Sequence, residues 1–167
     1  MNDTLKKWLL YLGGGLLPVW LLDTVFLPRL DLSVAPVLLP VCVVAVAVLE
    51  GAFTGAQFGL ITGLVWALTY AGGVTSRIPL LTLAGMLSGV VSQYALRRSL
   101  SGCMLCAAGV MALLEVMNVL GGLVNDLATL GPLVLLAMEE FVVTLACTPL
   151  IYLLFYVLYR KAGGKPI

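Results

Sequence analysis

The chain has no histidine, so the commonest general base and the commonest transition-metal ligand are both missing. Charge is nearly as scarce: 10% of the 167 residues are Asp, Glu, Lys or Arg, where a soluble domain averages about 25%. The net charge of +1 comes from bases too scattered to form a nucleic-acid patch. The four cysteines, Cys42, Cys103, Cys106 and Cys147, lie in apolar stretches and offer no disulfide framework. Cys103 and Cys106 have CxxC spacing without a second pair, and read as small apolar residues rather than as a zinc or redox site. No hydroxyl or thiol stands beside a plausible base, no glycine loop adjoins a lysine to cradle phosphate, and no zincin motif occurs. These gaps leave no expected enzyme chemistry, cofactor or metal.

What remains is apolar. At 62% hydrophobic residues and a mean hydropathy of +1.13, the chain reads as an integral membrane protein. The expected fold is an all-α membrane helical bundle, a single domain with very little mass outside the bilayer. Six spans are predicted, at about 8–26, 34–49, 51–70, 78–96, 103–120 and 133–159. The first follows a basic flank as a signal peptide does, but lacks an Ala-x-Ala cleavage site and reads as an uncleaved span. The second is short for a bilayer and is entered through Pro36. The sixth exceeds the roughly 20 residues needed to cross, so part of it is interfacial, tilted or bent at Pro149.

Orientation follows from the bases. Six spans put Lys6, Lys7, Arg97, Arg98, Arg160, Lys161 and Lys165 on one side and Arg29 and Arg77 on the other, which makes both termini cytoplasmic. Trp8, Tyr11, Tyr94, Tyr156 and Tyr159 fall near that inner boundary, where an aromatic belt is expected. Five spans would put the basic tail outside, against the same rule.

The central stretch, EGAFTGAQFGLITGLVWALTY, spaces Gly51, Gly55, Gly59 and Gly63 four apart. On a helix that spacing makes one slowly drifting strip without side chains. In water such a strip weakens a helix, at about 1 kcal/mol per glycine; in lipid it lets a neighbouring helix approach to backbone contact. Gly55 and Gly59 are expected in close helix contact, and Gly85 and Gly89 form a second small pair in the fourth span. Glu50 heads the glycine helix at a cytoplasmic turn, where a carboxylate suits the positive end of the helix dipole.

The acids inside apolar segments need an account, because a mid-span carboxylate costs on the order of 3 kcal/mol. Glu115 lies roughly 18 Å into the fifth span, and Glu139 and Glu140 enter the sixth to a similar depth from the other side. With Asn118 these form a candidate intramembrane polar site; the alternative is that Glu139 and Glu140 sit in a wet interface. Asp23, near the outer end of the first span, reaches water or Arg29.

The stretch APVLLPVCVVAVAVLEGAFTGAQFGLITGLVWAL, Ala35 to Leu68, resembles the MreD family of small membrane subunits of the bacterial rod-shape machinery. A proline-led span precedes Glu50-Gly51, the spaced glycines Gly55, Gly59 and Gly63, and Leu64; the acidic residue usual in that family falls on Ala67 here. The resemblance covers the second to fourth spans best and the last two only by topology. It implies a non-enzymatic subunit of the inner membrane that binds MreC, a bitopic protein, and helps link MreB filaments to penicillin-binding proteins that build peptidoglycan. The glycine face would then pack the bundle or accept a partner's single span. A second reading is the substrate-binding subunit of an energy-coupling-factor vitamin transporter, with Glu115, Asn118 and Glu139 lining an outward site. A third is a small ion or proton carrier using Glu115.

Overall fold

The structure, a computed structural model, describes residues 3–26, 29, 36–69, 77–94, 99–124 and 130–163. Arg97, Arg98, Lys165 and residues 71–76 and 125–129, which lie between predicted spans, are outside the described residues. Among the described residues there are helices and no strands, so the chain is an all-α helical bundle of the membrane class. The first helix, α1, covers residues 3–26 as α-helical turns Asp3–Tyr11 and Leu17–Leu21, each followed by a π-helical turn, Leu12–Leu16 and Leu22–Phe26. The first π-turn is LGGGL, three poor helix formers in a row where the wider winding meets least resistance. The others are α2 (Leu38–Glu50), α3 (Ala52–Thr69), α4 (Arg77–Tyr94), α5 (Leu100–Val124) and α6 (Leu130–Lys161). By length and composition four stretches can cross a membrane: Leu5–Val25, Ala52–Thr69, Leu100–Gly121 and Leu133–Lys161.

The second predicted span behaves differently from the rest. Its 13 helical residues reach only about 20 Å, short of a hydrocarbon core of about 30 Å. Every residue from Leu38 to Leu49 is buried, and α2 touches all five other helices. A helix apolar on every side has no water-facing stripe, and here protein takes up the whole circumference. Pro40 sits in the first turn, where a missing N–H breaks no helical bond. The amide of Val37 just ahead of the helix donates to Thr144 Oγ1 of α6 at 3.0 Å, so the buried entry to α2 is closed by a side chain from another element.

Gly51 ends α2 and turns the chain within a single residue. Its φ of +104° lies where side chains are strained, and its N–H still donates to Ala47 O at 2.9 Å. The chain then returns as α3, whose partner is α4, running antiparallel along it. The glycine strip is the seam of this pair. A methyl carbon at Gly55 would lie 2.7 Å from Gly85 O and 2.5 Å from Ala47 Cβ; one at Gly63 would lie 2.9 Å from Ile78 Cα. From the other side, a carbon at Gly85 would lie 2.7 Å from the carbonyl carbon of Gly55, and one at Gly89 would lie 2.7 Å from that of Gly51. Backbones this close gain dispersion along the whole helix and leave no room for lipid between them.

Hydroxyls inside the bundle bond to their own helices four residues back: Thr62 to Phe58 O at 2.8 Å, Ser88 to Ala84 O at 2.7 Å and Thr148 to Thr144 O at 3.1 Å. Lipid offers these groups no partner, and this bond satisfies each of them locally. Phe155 of α6 stacks edge-on against Phe58 of α3 with centroids 5.8 Å apart, and faces Tyr11 of α1 at 6.3 Å. Gly15 leaves the space that the Phe155 ring occupies, since a carbon there would lie 2.6 Å from the ring.

Candidate functional site

The helix directions give the bundle two polar ends. At the first, the end of α2 meets the start of α1. Glu50 accepts a hydrogen bond from Tyr11 Oη at 2.6 Å and pairs with Lys7 Nζ at 2.5 Å. The expected role for Glu50, answering the dipole of the glycine helix, therefore changes: it is the last residue of α2, and its carboxylate turns to α1. Tyr11 changes too. It is 1% exposed, so it is a core residue whose hydroxyl serves Glu50 and not part of a lipid-facing belt.

The opposite end carries the acids. Arg77 opens α4, lies over the Trp66 ring of α3 at 4.8 Å from its centroid, and donates to Asn118 Oδ1 at 3.2 Å. Asn118 in turn lies one turn after Glu115 on α5, on the same helix face, so guanidinium, amide and carboxylate follow one another. Glu140 of α6 lies within electrostatic reach of Glu115, Arg77 and Asp23. One arginine thus acts electrostatically on two carboxylates drawn from two other helices, and Asp23 of α1 acts on one of them, Glu140.

Of the four residues expected to share a polar site, Glu115, Asn118 and Glu140 come together. Glu139 is exposed and sits apart, because neighbouring helix positions point about 100° away from each other. Arg77 and Asp23 are the members that sequence reasoning missed. Arg77 reads as a loop residue in its sequence context, and the signal that could have placed it is a lone cation entering a helix at the end poor in bases. Beside Glu115, a cavity of about 660 Å³ opens between α5 and α6, walled by apolar side chains such as Val116, Leu120, Met138 and Phe141.

The six glycines lie at other places. Gly55, Gly59, Gly63, Gly85 and Gly89 are buried in the α3–α4 seam, and Gly51 forms the turn that leads into it. The strip is filled from within the chain, so it presents no open face to a second protein. Ala67 is half-buried in the last turn of α3, at the same end as the acids. Cys103 and Cys106 are buried on α5, and among the described residues no three side chains of His, Cys, Asp or Glu gather into a metal-binding group.

Comparison of the chain with protein-family models, with curated proteins and with solved structures returns no match.

Proposed function

We propose that the chain is a non-enzymatic subunit of the bacterial plasma membrane, of the MreD type, that binds the single span of an MreC-like bitopic protein. Through that partner it would couple cytoplasmic MreB filaments to the penicillin-binding proteins outside. In this reading six helices cross with both termini cytoplasmic, and the Lys7 end faces the cytoplasm by the excess of basic residues there. The residues that carry the resemblance, Ala35 to Leu68, cover α2 and α3, the enclosed helix and its glycine-seamed neighbour around which the rest is packed.

The observation that carries the proposal is the α5–α6 groove. With the glycine seam filled, the partner's span needs another surface, and the apolar wall of Val116, Leu120, Met138 and Val142 supplies one in the plane of the bilayer. Glu115 at its edge gives a polar contact that fixes depth.

The test is affinity purification of the tagged full chain from native membranes, with a photo-crosslinking residue at Met138 in α6 and, as a control, at Leu68 in α3. Co-purification of an MreC-like protein, cross-linked from position 138 and not from 68, is the expected result. A second reading, the substrate-binding subunit of an energy-coupling-factor transporter, draws on the same cavity and its adjoining Arg77, Asn118 and Glu115 as a ligand site. Recovery of paired ATPases with their membrane coupling protein would favour that reading and overturn the first.

A further inference from the structure

The first turns of α1 and the last turn of α6 enclose a groove of about 880 Å³ that neither reading uses. Its wall includes Lys6, Lys7 and Lys161, with Leu9, Leu10 and Gly14 deeper along α1. Lys7 is committed to Glu50, whereas Lys6 and Lys161 have no acidic partner among the described residues. From Lys6 to Gly14 the helix descends about 12 Å, so ammonium groups at headgroup level lead directly into an apolar trough. Gly14 adds no side chain to that trough, and a methyl there would lie 3.1 Å from Leu158 Cδ2 of α6.

We infer that this groove is a binding site for an anionic phospholipid of the leaflet at the Lys7 end, its phosphate held between Lys6 and Lys161 and one acyl chain lying along Leu9, Leu10 and Gly14. Charge selects the head. Two cations with no acidic partner among the described residues, on different helices, line one groove, and an anionic headgroup gains from each lysine it meets near the surface. Shape selects the tail, since a free phosphate would leave the apolar part of the groove empty. The lipid would also tie the N-terminal helix to the C-terminal one, the two ends of the chain, at a place where they otherwise meet lightly.

Native mass spectrometry of the purified full chain, with phosphatidylglycerol or phosphatidylcholine of identical acyl chains, tests this. Phosphatidylglycerol is expected to be retained roughly tenfold more strongly, the preference two surface lysines can supply. Lys6→Gln with Lys161→Gln should abolish the preference. Both residues are exposed, so the variant should fold. Arg160→Gln removes a neighbouring charge that does not line the groove and should keep the preference. Equal retention of the two lipids would overturn the proposal, as would an Arg160→Gln loss equal to that of the lysine pair.

Discussion

Gly59 and Gly109 are both helical glycines in apolar segments, yet they stand in opposite surroundings. A methyl added at Gly59 comes within 2.9 Å of the carbonyl carbon of Leu81 and 3.1 Å of Thr82 Cα, backbone atoms that yield only if α3 and α4 separate. At Gly109 of α5 the same methyl meets nothing within 4 Å. Gly59→Ala should therefore destabilise the protein by about 1–3 kcal/mol, the usual range for overpacking a well-filled site. Gly109→Ala should leave stability unchanged or raise it by up to about 1 kcal/mol, the helix-propensity gain alone. Melting curves of the two variants in one detergent make the comparison, and equal midpoints would show that close approach along the seam contributes nothing. Glu50 gives a second case at this scale. Its side chain is 8% exposed and is held by two partners on α1, so Tyr11→Phe, which removes one hydrogen bond and keeps the ring, should cost about 1 kcal/mol by the same measurement.

Among the elements, α2 departs furthest from its sequence. Its apolar run showed a helix, but valine, leucine and alanine on every side look the same whether lipid or protein surrounds them. Enclosure became visible only from the short length and from the polar residues other helices direct at its ends: Thr144 at Val37 and, from α4, Ser92 Oγ donating to Val48 O at 3.2 Å. The α3–α4 seam was legible because glycines every fourth residue leave a periodic mark; helix geometry likewise points Glu139 and Glu140 apart, but which of the two joins Glu115 was visible only in three dimensions. Thr144→Val tests the capping of α2. It keeps the shape, strips the acceptor from a half-buried amide, and should cost about 1 kcal/mol. Hydrogen-exchange mass spectrometry should find faster exchange in the peptide that begins α2 and unchanged exchange in α3. Uniform acceleration would mean that the bond serves the whole bundle and not this entry.

Over the whole molecule the charges are split between two ends. At one, a lysine answers the carboxylate of Glu50; at the other, Arg77 answers Glu115 and Glu140, carboxylates from different helices. The second arrangement brings charges of α4, α5 and α6 within electrostatic reach of one another, and it differs from a simple ion pair in what the loss of its cation leaves behind. Arg77→Gln would leave the two carboxylates without that cation, at a cost of about 1–2 kcal/mol, well below that of a fully buried pair because Arg77 is half-buried and its bond to Asn118 is exposed. Glu140→Gln removes one of the two acids. In the native background it should raise stability slightly, because burial and the repulsion from Glu115 outweigh the attraction to Arg77, and in the Arg77→Gln background, where that attraction is gone, it should raise stability more. That larger gain without Arg77 is the expected outcome of a double-mutant cycle read by thermal unfolding. If Glu140→Gln had the same effect in both backgrounds, Arg77 and Glu140 would be independent, and the three helices would be held at this end by apolar packing alone.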